Sequence, residues 1–344
     1  MFPAHSPTRP LANLPTFPSP TRLLMVKCQG FLNKREKATS KIMTQNPGKQ
    51  DKVLAVVNRK GGVAKTTTAI NLAHGLSRKL MRRVAPKDLN QISDPGNLYQ
   101  YQDTHYYLLG HVLLIDFDPQ GHCARGLGID TGKADIGDVL LEQRHITEAV
   151  VSADRAAEGF PRPNLWILPA SDNLEHAKDI LRAQAFAMPS TKNYGLVRIL
   201  EDRLAVALER FTYIILDCPP ALDTFTQAVY QFADSAIVPV KPDYFSMAGT
   251  GQHISSIFEA QMRGIDIRIH TIVPTLNVAR QNLDQQMVDE LRETHGNMVS
   301  QPIPRSQAVA EAPAFQQTIF EYDARFLNPA TIAYQALVDR VYYG

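Results

Sequence analysis

Residues 58–68 read NRKGGVAKTTT, and their types and spacing are those of a phosphate cradle. Gly61 and Gly62 let successive backbone N–H groups turn toward an anion, and a helix starting just after them adds its positive end. Lys65 is placed to reach the outer phosphates of a nucleoside triphosphate, and the Thr66 hydroxyl to ligate magnesium. Lys60, Val63, Ala64 and Thr67 complete the set expected to line the nucleotide. The run departs twice from the pattern G-x-x-x-x-G-K-[ST], with Arg59 and Ala64 at the glycine positions. A Cβ at residue 64 is tolerated if its φ is negative, so the loop is expected to differ slightly there from the glycine form. Lys60 is a second lysine for which a plain phosphate loop has no use.

Carboxylates that could serve the same ligand lie downstream. Asp217 closes the apolar run YIILD, the position from which an acid holds magnesium, usually through water. Asp116 and Asp118 in IDFDPQG lie two apart, so in an extended segment both point the same way. Such a pair can address a metal and an attacking water in phosphoanhydride hydrolysis. On these grounds the expected catalytic residues are Lys65, Asp116 and Asp118, and the expected metal ligands are Thr66, Asp116 and Asp217.

These groups need a scaffold that presents loop ends together. Short apolar runs at 53–57, 111–115, 165–169, 213–217, 235–240 and 267–273 read as strands buried on both faces. Helical stretches alternate with them, beginning with Thr67 to Leu80. The pattern predicts a doubly wound α/β fold, its mostly parallel sheet covered by helices on both faces. Ligands of such sheets sit beyond the carboxyl ends of the strands. The loops after the first, second and fourth strands carry the polar signatures.

The net charge of +2 over 344 residues conceals an uneven distribution. Residues 1–50 hold eight Lys/Arg and one acid, Glu36, whereas the remainder holds 28 basic and 33 acidic side chains. The first fifty residues, rich in Pro, Ser and Thr, read as a basic disordered tail, and 51–344 as one folded domain. Nucleic-acid contact from the folded part therefore requires a local patch. Residues 82–110 exceed the usual length of a helix-to-strand link and read as a poorly ordered surface insertion. No apolar run is long enough for a membrane span, and Cys28, Cys123 and Cys218 form neither a zinc motif nor a disulfide framework.

KGGVAKTTT, LLIDFDPQG and YIILDCPP, in that order, resemble the ParA/Soj-type partition ATPases of the deviant Walker A group, within the MinD/ParA superfamily. VPVKPDYFSMAGTGQ, TLNVARQN and IPRSQAVAEAPAFQQTIFEYDARF extend the resemblance over about residues 52–342, apart from the insertion. The resemblance implies a P-loop ATPase using ATP and Mg2+ that forms a sandwich dimer when ATP-bound. Lys60 then matches the signature lysine that reaches the partner's nucleotide. Asp118 matches the acid required for hydrolysis, Asp116 its companion in the switch region and Asp217 the Walker-B acid. It also implies non-specific binding to nucleoid DNA, with Arg280 at a family DNA-binding position and Arg305 nearby; a second family arginine is replaced here by Ala308. A ParB-like or other cargo adaptor would stimulate hydrolysis, in a cytoplasmic, nucleoid-associated protein that positions plasmid, chromosome or other cargo. A MinD-like membrane cycle would need a basic amphipathic C-terminus, which ALVDRVYYG is too short to supply. A scaffold that binds ATP with little turnover is the remaining alternative. An iron–sulfur dimer built on Cys123 and Cys218 fits their surroundings less well than the partition pattern.

Overall fold

The computed structural model describes residues 51–92, 94–132, 134–187, 193–220, 224–242, 254–278 and 282–344. The basic tail at 1–50 and Arg280 lie outside these residues.

Among the described residues ten strands form two sheets: β1 (Val53–Val56), β2 (Met81–Val84), β3 (Leu98–Tyr101), β4 (Thr104–Leu108), β5 (Val112–Asp116), β6 (Val151–Ser152), β7 (Leu165–Leu168), β8 (Tyr213–Asp217), β9 (Ser235–Val240) and β10 (Arg268–Pro274). The large sheet runs β10-β9-β1-β8-β5-β7-β6. All its pairings are parallel except β6 against β7. Every residue of β1, β5, β8 and β9 is buried, as a sheet covered on both faces requires. Separate apolar clusters fill its two sides. The antiparallel edge β6 was not legible in a two-residue segment.

Helix α1 (Lys65–Lys79) leaves β1 through the glycine loop and buries Ala69, Ile70, Leu72, Ala73 and Leu76. The last helix, Pro329–Tyr343, lies against it. Gly75 makes that close approach possible, since a Cβ there would meet Val338 Cγ2 at 2.2 Å. Among the described residues no helix is long and apolar enough to cross a membrane.

The segment expected to be poorly ordered is instead an antiparallel three-stranded sheet, β2-β4-β3. Met81 follows α1 directly, and β2 pairs with β4 from Met81↔Leu108 to Val84↔His105. The β3–β4 hairpin turns at Gln102, whose φ is 51°. Buried Val84 and Leu108 anchor the sheet, and the Tyr99 hydroxyl donates to Asp154 Oδ2 at 3.3 Å. The sequence disguises these strands: β2 carries two exposed arginines, and the tyrosines of β3 and β4 are half-buried rather than core.

A buried polar network ties α1 to the C-terminal segment. The guanidinium of Arg162, fully buried, donates from Nε and Nη2 to the Glu321 carboxylate at 2.8 and 2.9 Å. It also donates to the Leu127 carbonyl at 2.8 Å and the Gln316 carbonyl at 3.0 Å. The Thr318 hydroxyl donates to Glu321 Oε2 at 3.1 Å. His74 Nδ1 lies 2.6 Å from that hydroxyl oxygen, so Nδ1 carries the hydrogen in this arrangement. Burial lowers the His74 pKa to about 3, keeping the ring neutral. Burial pushes the Glu321 carboxyl up, but neighbouring charge and hydrogen bonds outweigh it and hold the pKa low. With His74 neutral, Arg162 supplies that charge.

The consequence for pH has one sign. An unfolded His74 takes up a proton below about pH 6.5, whereas the folded one resists until about 3. Stability is therefore fully present above pH 6.5 and lost as pH falls toward 3. At pH 5 this one group removes about 2 kcal/mol. Glu321, with its lowered pKa, acts in the same direction. Urea titrations at pH 7.5 and pH 5 measure the loss, and His74→Gln should shrink it.

Candidate active site

The loop after β1 is held from below before any ligand is considered. Val57 N–H donates to the Ile237 carbonyl at 3.0 Å, and Asn58 Nδ2 to the Pro239 carbonyl at 2.7 Å. Thr275 Oγ1 donates to the Val63 carbonyl at 3.0 Å. The ends of β9 and β10 thus fix both arms of the loop. Asn58 and Thr275 escaped sequence reasoning; a polar residue closing an apolar run was their only signal. Gly61 and Gly62 are exposed, Val63 is buried, and Thr66 and Thr67 are half-buried at the start of α1.

Ala64 corrects an expectation. Its φ is +63° and its ψ 36°, the left-handed conformation, so the loop keeps the glycine-type backbone despite the Cβ. An L-residue there costs about 1–2 kcal/mol relative to right-handed backbone. Ala64→Gly should raise stability by about 0.5–1 kcal/mol, glycine's own entropy offsetting part of the relief. A higher urea midpoint with unchanged nucleotide affinity is the expected result.

Lys65 is only 8% exposed, and its Nζ donates to the Lys60 carbonyl at 3.0 Å. Burial lowers its pKa, opposed by the nearby charge of Asp217 and, more weakly, of Asp118. The Lys60 N–H donates to Asn58 Oδ1 at 3.0 Å. Both main-chain groups of Lys60 are therefore engaged within the loop.

Strand register assembles the acids. Asp217 on β8 pairs with Val56 of β1 on one side and with Asp116 of β5 on the other, so three strands end level. Asp116 and Asp217 are 0% and 1% exposed. Gly121 then turns with φ +61°, at a point where a Cβ would meet the Ala170 carbonyl oxygen at 2.7 Å. That turn starts helix α2 (His122–Leu127) and brings Cys123 over both carboxylates. Cys123 N–H donates to Asp116 Oδ2 at 3.0 Å, and its Sγ to Asp217 Oδ2 at 3.3 Å. Asp116 Oδ1 accepts the Asp118 N–H at 2.9 Å.

β5 stops at Asp116, so Asp118 belongs to a turn rather than an extended segment. The two carboxylates consequently have different surroundings. Asp116 is buried on backbone amides, whereas Asp118 is half-buried and accepts the Gln120 N–H at 3.0 Å. Burial pushes the Asp116 and Asp217 pKa values up. For Asp116 the neighbouring Asp217 adds to the rise, and for Asp217 the Thr66 hydroxyl beside it pulls down. Asp217 Oδ1 is buried with no hydrogen-bond partner. A buried carboxylate with one unpaired oxygen and the Thr66 hydroxyl beside it fits a hard cation, so Thr66 and Asp217, with Asp116 behind, suit Mg2+.

Of the basic residues expected on DNA, Arg305 is exposed, and its N–H donates to the Asn277 carbonyl at 2.9 Å.

A family model described as an AAA domain matches residues 51–91 and 109–270. The stretch it skips contains the β3–β4 hairpin. Over 289 residues the chain is 31% identical to the chromosome partitioning protein ParA of Caulobacter vibrioides, covering 82% of this chain and 90% of that one. Over 291 residues it is 30% identical to the chromosome-partitioning ATPase Soj of Thermus thermophilus, covering 84% and 94%. Cobyrinic acid a,c-diamide synthase from Mycobacterium smegmatis, solved with an ATP analogue and magnesium, superposes with a TM-score of 0.60 at 26% identity, over 84% of this chain and 92% of that one. MinD from Pyrococcus horikoshii, solved with Mg-ADP, shares the fold, with a TM-score of 0.60, 17% identity and coverage of 84% and 95%. A phosphate loop, two level carboxylates and relatives matched almost end to end make this chain a member of the ParA/Soj partition ATPases of the ParA/MinD superfamily.

Proposed function

We propose that the protein is a Mg2+-dependent ATPase that closes into an ATP-bound sandwich dimer, binds DNA without sequence preference and positions a plasmid, chromosome or other cargo. The observation that carries this reading is the level ending of β1, β5 and β8, which gathers Lys65, Asp116 and Asp217 beside the glycine loop. Backbone N–H groups of 61–66 cradle the phosphates, and Lys65 neutralises the outer ones. Thr66 and Asp217 would hold the metal, which would supply positive charge against that of the phosphates. Asp118, the most accessible of the three acids, orients the attacking water. Lys60 reaches the partner's nucleotide.

Arg280 and Arg305 are the proposed phosphate contacts on DNA. With Ala308 in place of a family arginine, the log–log salt slope should be shallower by about one unit. A ParB-like or other adaptor stimulates hydrolysis and frees the dimer. The protein works in the cytoplasm on the nucleoid. The test is phosphate release with and without DNA, beside sedimentation with a non-hydrolysable ATP analogue. DNA-stimulated release together with an analogue-dependent dimer supports the reading. ATP binding without release would replace it with a positioning scaffold.

A further inference from the structure

A cavity of about 430 Å³ lies between α1, α2 and the segment around Pro313. Its wall on α1 runs from Thr66 and Thr67, where the phosphate loop ends, down to Asn71. Neither the loop residues before Thr66 nor any carboxylate lines it. Asn71 is already committed, its Nδ2 donating to the Thr67 carbonyl at 2.8 Å and its Oδ1 accepting the Ile319 N–H at 2.9 Å. Arg125, which lines the cavity from α2, is not. It is exposed, and its guanidinium has no hydrogen bond, ion pair or ring contact among the described residues.

The helix that carries Arg125 is fixed at both ends. Cys123 N–H at its start is held by Asp116 Oδ2 at 3.0 Å. The Leu127 carbonyl at its end accepts from Arg155 Nη1 at 3.1 Å and Arg162 Nη1 at 2.8 Å. Gly126 brings it close to α1, since a Cβ there would lie 3.2 Å from Ile70 Cδ1. The guanidinium is therefore tethered to a rigid wall beside the two threonines.

We propose that Arg125 is a further nucleotide-binding residue, its guanidinium meeting the phosphates that ATP and ADP share. The inference rests on the ATPase reading above and adds a residue to it. An unpaired guanidinium lining a cavity without carboxylates selects an anion, and its fork matches phosphate oxygens. The γ-phosphate belongs to the side of Lys65 and the acids, none of which lines this cavity. The α- and β-phosphates, held by the amides of the loop, are the ones left for Arg125.

Calorimetric titration of the full chain with ADP and with a non-hydrolysable ATP analogue, both with Mg2+, tests the assignment. Arg125→Gln should weaken both ligands about tenfold. Arg125→Lys should weaken them less, because an ammonium keeps the charge and loses the fork. Arg144→Gln, which removes an exposed arginine paired with Glu148, should change neither affinity and so controls for net charge. Matching urea midpoints establish that the variants fold as the parent does. Unchanged affinity in Arg125→Gln, a loss confined to the ATP analogue, or an equal loss in Arg144→Gln would overturn the proposal while the parent still binds. A parent chain that binds neither ligand would overturn the ATPase reading, and this inference with it.

Discussion

Replacing Lys60 by alanine should lower ATP turnover about a thousandfold, the scale on which a cation supplied in trans acts in phosphoryl transfer. The loop itself should survive the change. Residue 60 contributes to it through main-chain groups, its N–H on Asn58 Oδ1 and its carbonyl under Lys65 Nζ, each at 3.0 Å. Alanine preserves both. The variant is thus expected to retain nucleotide affinity as a monomer while failing to sediment as a dimer with a non-hydrolysable analogue. Equilibrium binding of a fluorescent ATP analogue, run beside the sedimentation, separates the two effects. Turnover equal to that of the parent would remove Lys60 from the mechanism.

Arg162→Met should destabilise the protein by about 3–5 kcal/mol, the largest stability effect expected of a single change here. The substitution removes four donors at once, and it leaves Glu321 charged at a site where its own exposure is 12%. The carbonyls of Leu127 and Gln316 lose partners in the same step. Denaturant unfolding at neutral pH measures the cost. The double change Arg162→Met with Glu321→Leu should recover part of it, because what is expensive is the uncompensated charge rather than the loss of the pair. If the double variant is no more stable than the single one, the network's value lies in the backbone carbonyls instead.

The six parallel strands were legible because strands buried on both faces must be continuously apolar, as Val53–Val56 and Tyr213–Asp217 are. The phosphate loop was legible because glycine and lysine have few other reasons to stand together there. What stayed hidden depended on partners remote in sequence. Arg162 looks like any surface arginine until Glu321, 159 residues away, is placed against it. The turn at Asp118 was masked by the two-residue spacing from Asp116, which reads as continued strand. The left-handed Ala64 runs against residue preference. Its loop is pinned on either side by the Pro239 carbonyl of β9 and by Thr275 just after β10, which supports the strained backbone.

The β2-β4-β3 sheet shares no strand with the large sheet, and its hairpin tip lies in the stretch that the family pattern skips. Splicing a fluorescent domain at Gln102–Asp103 would therefore lengthen the chain where no pairing of the seven-stranded ladder is interrupted. Such an internal fusion leaves both chain ends native, and with them the basic first fifty residues and the helix packed on α1. It offers a way to image the protein in living cells without tagging either terminus.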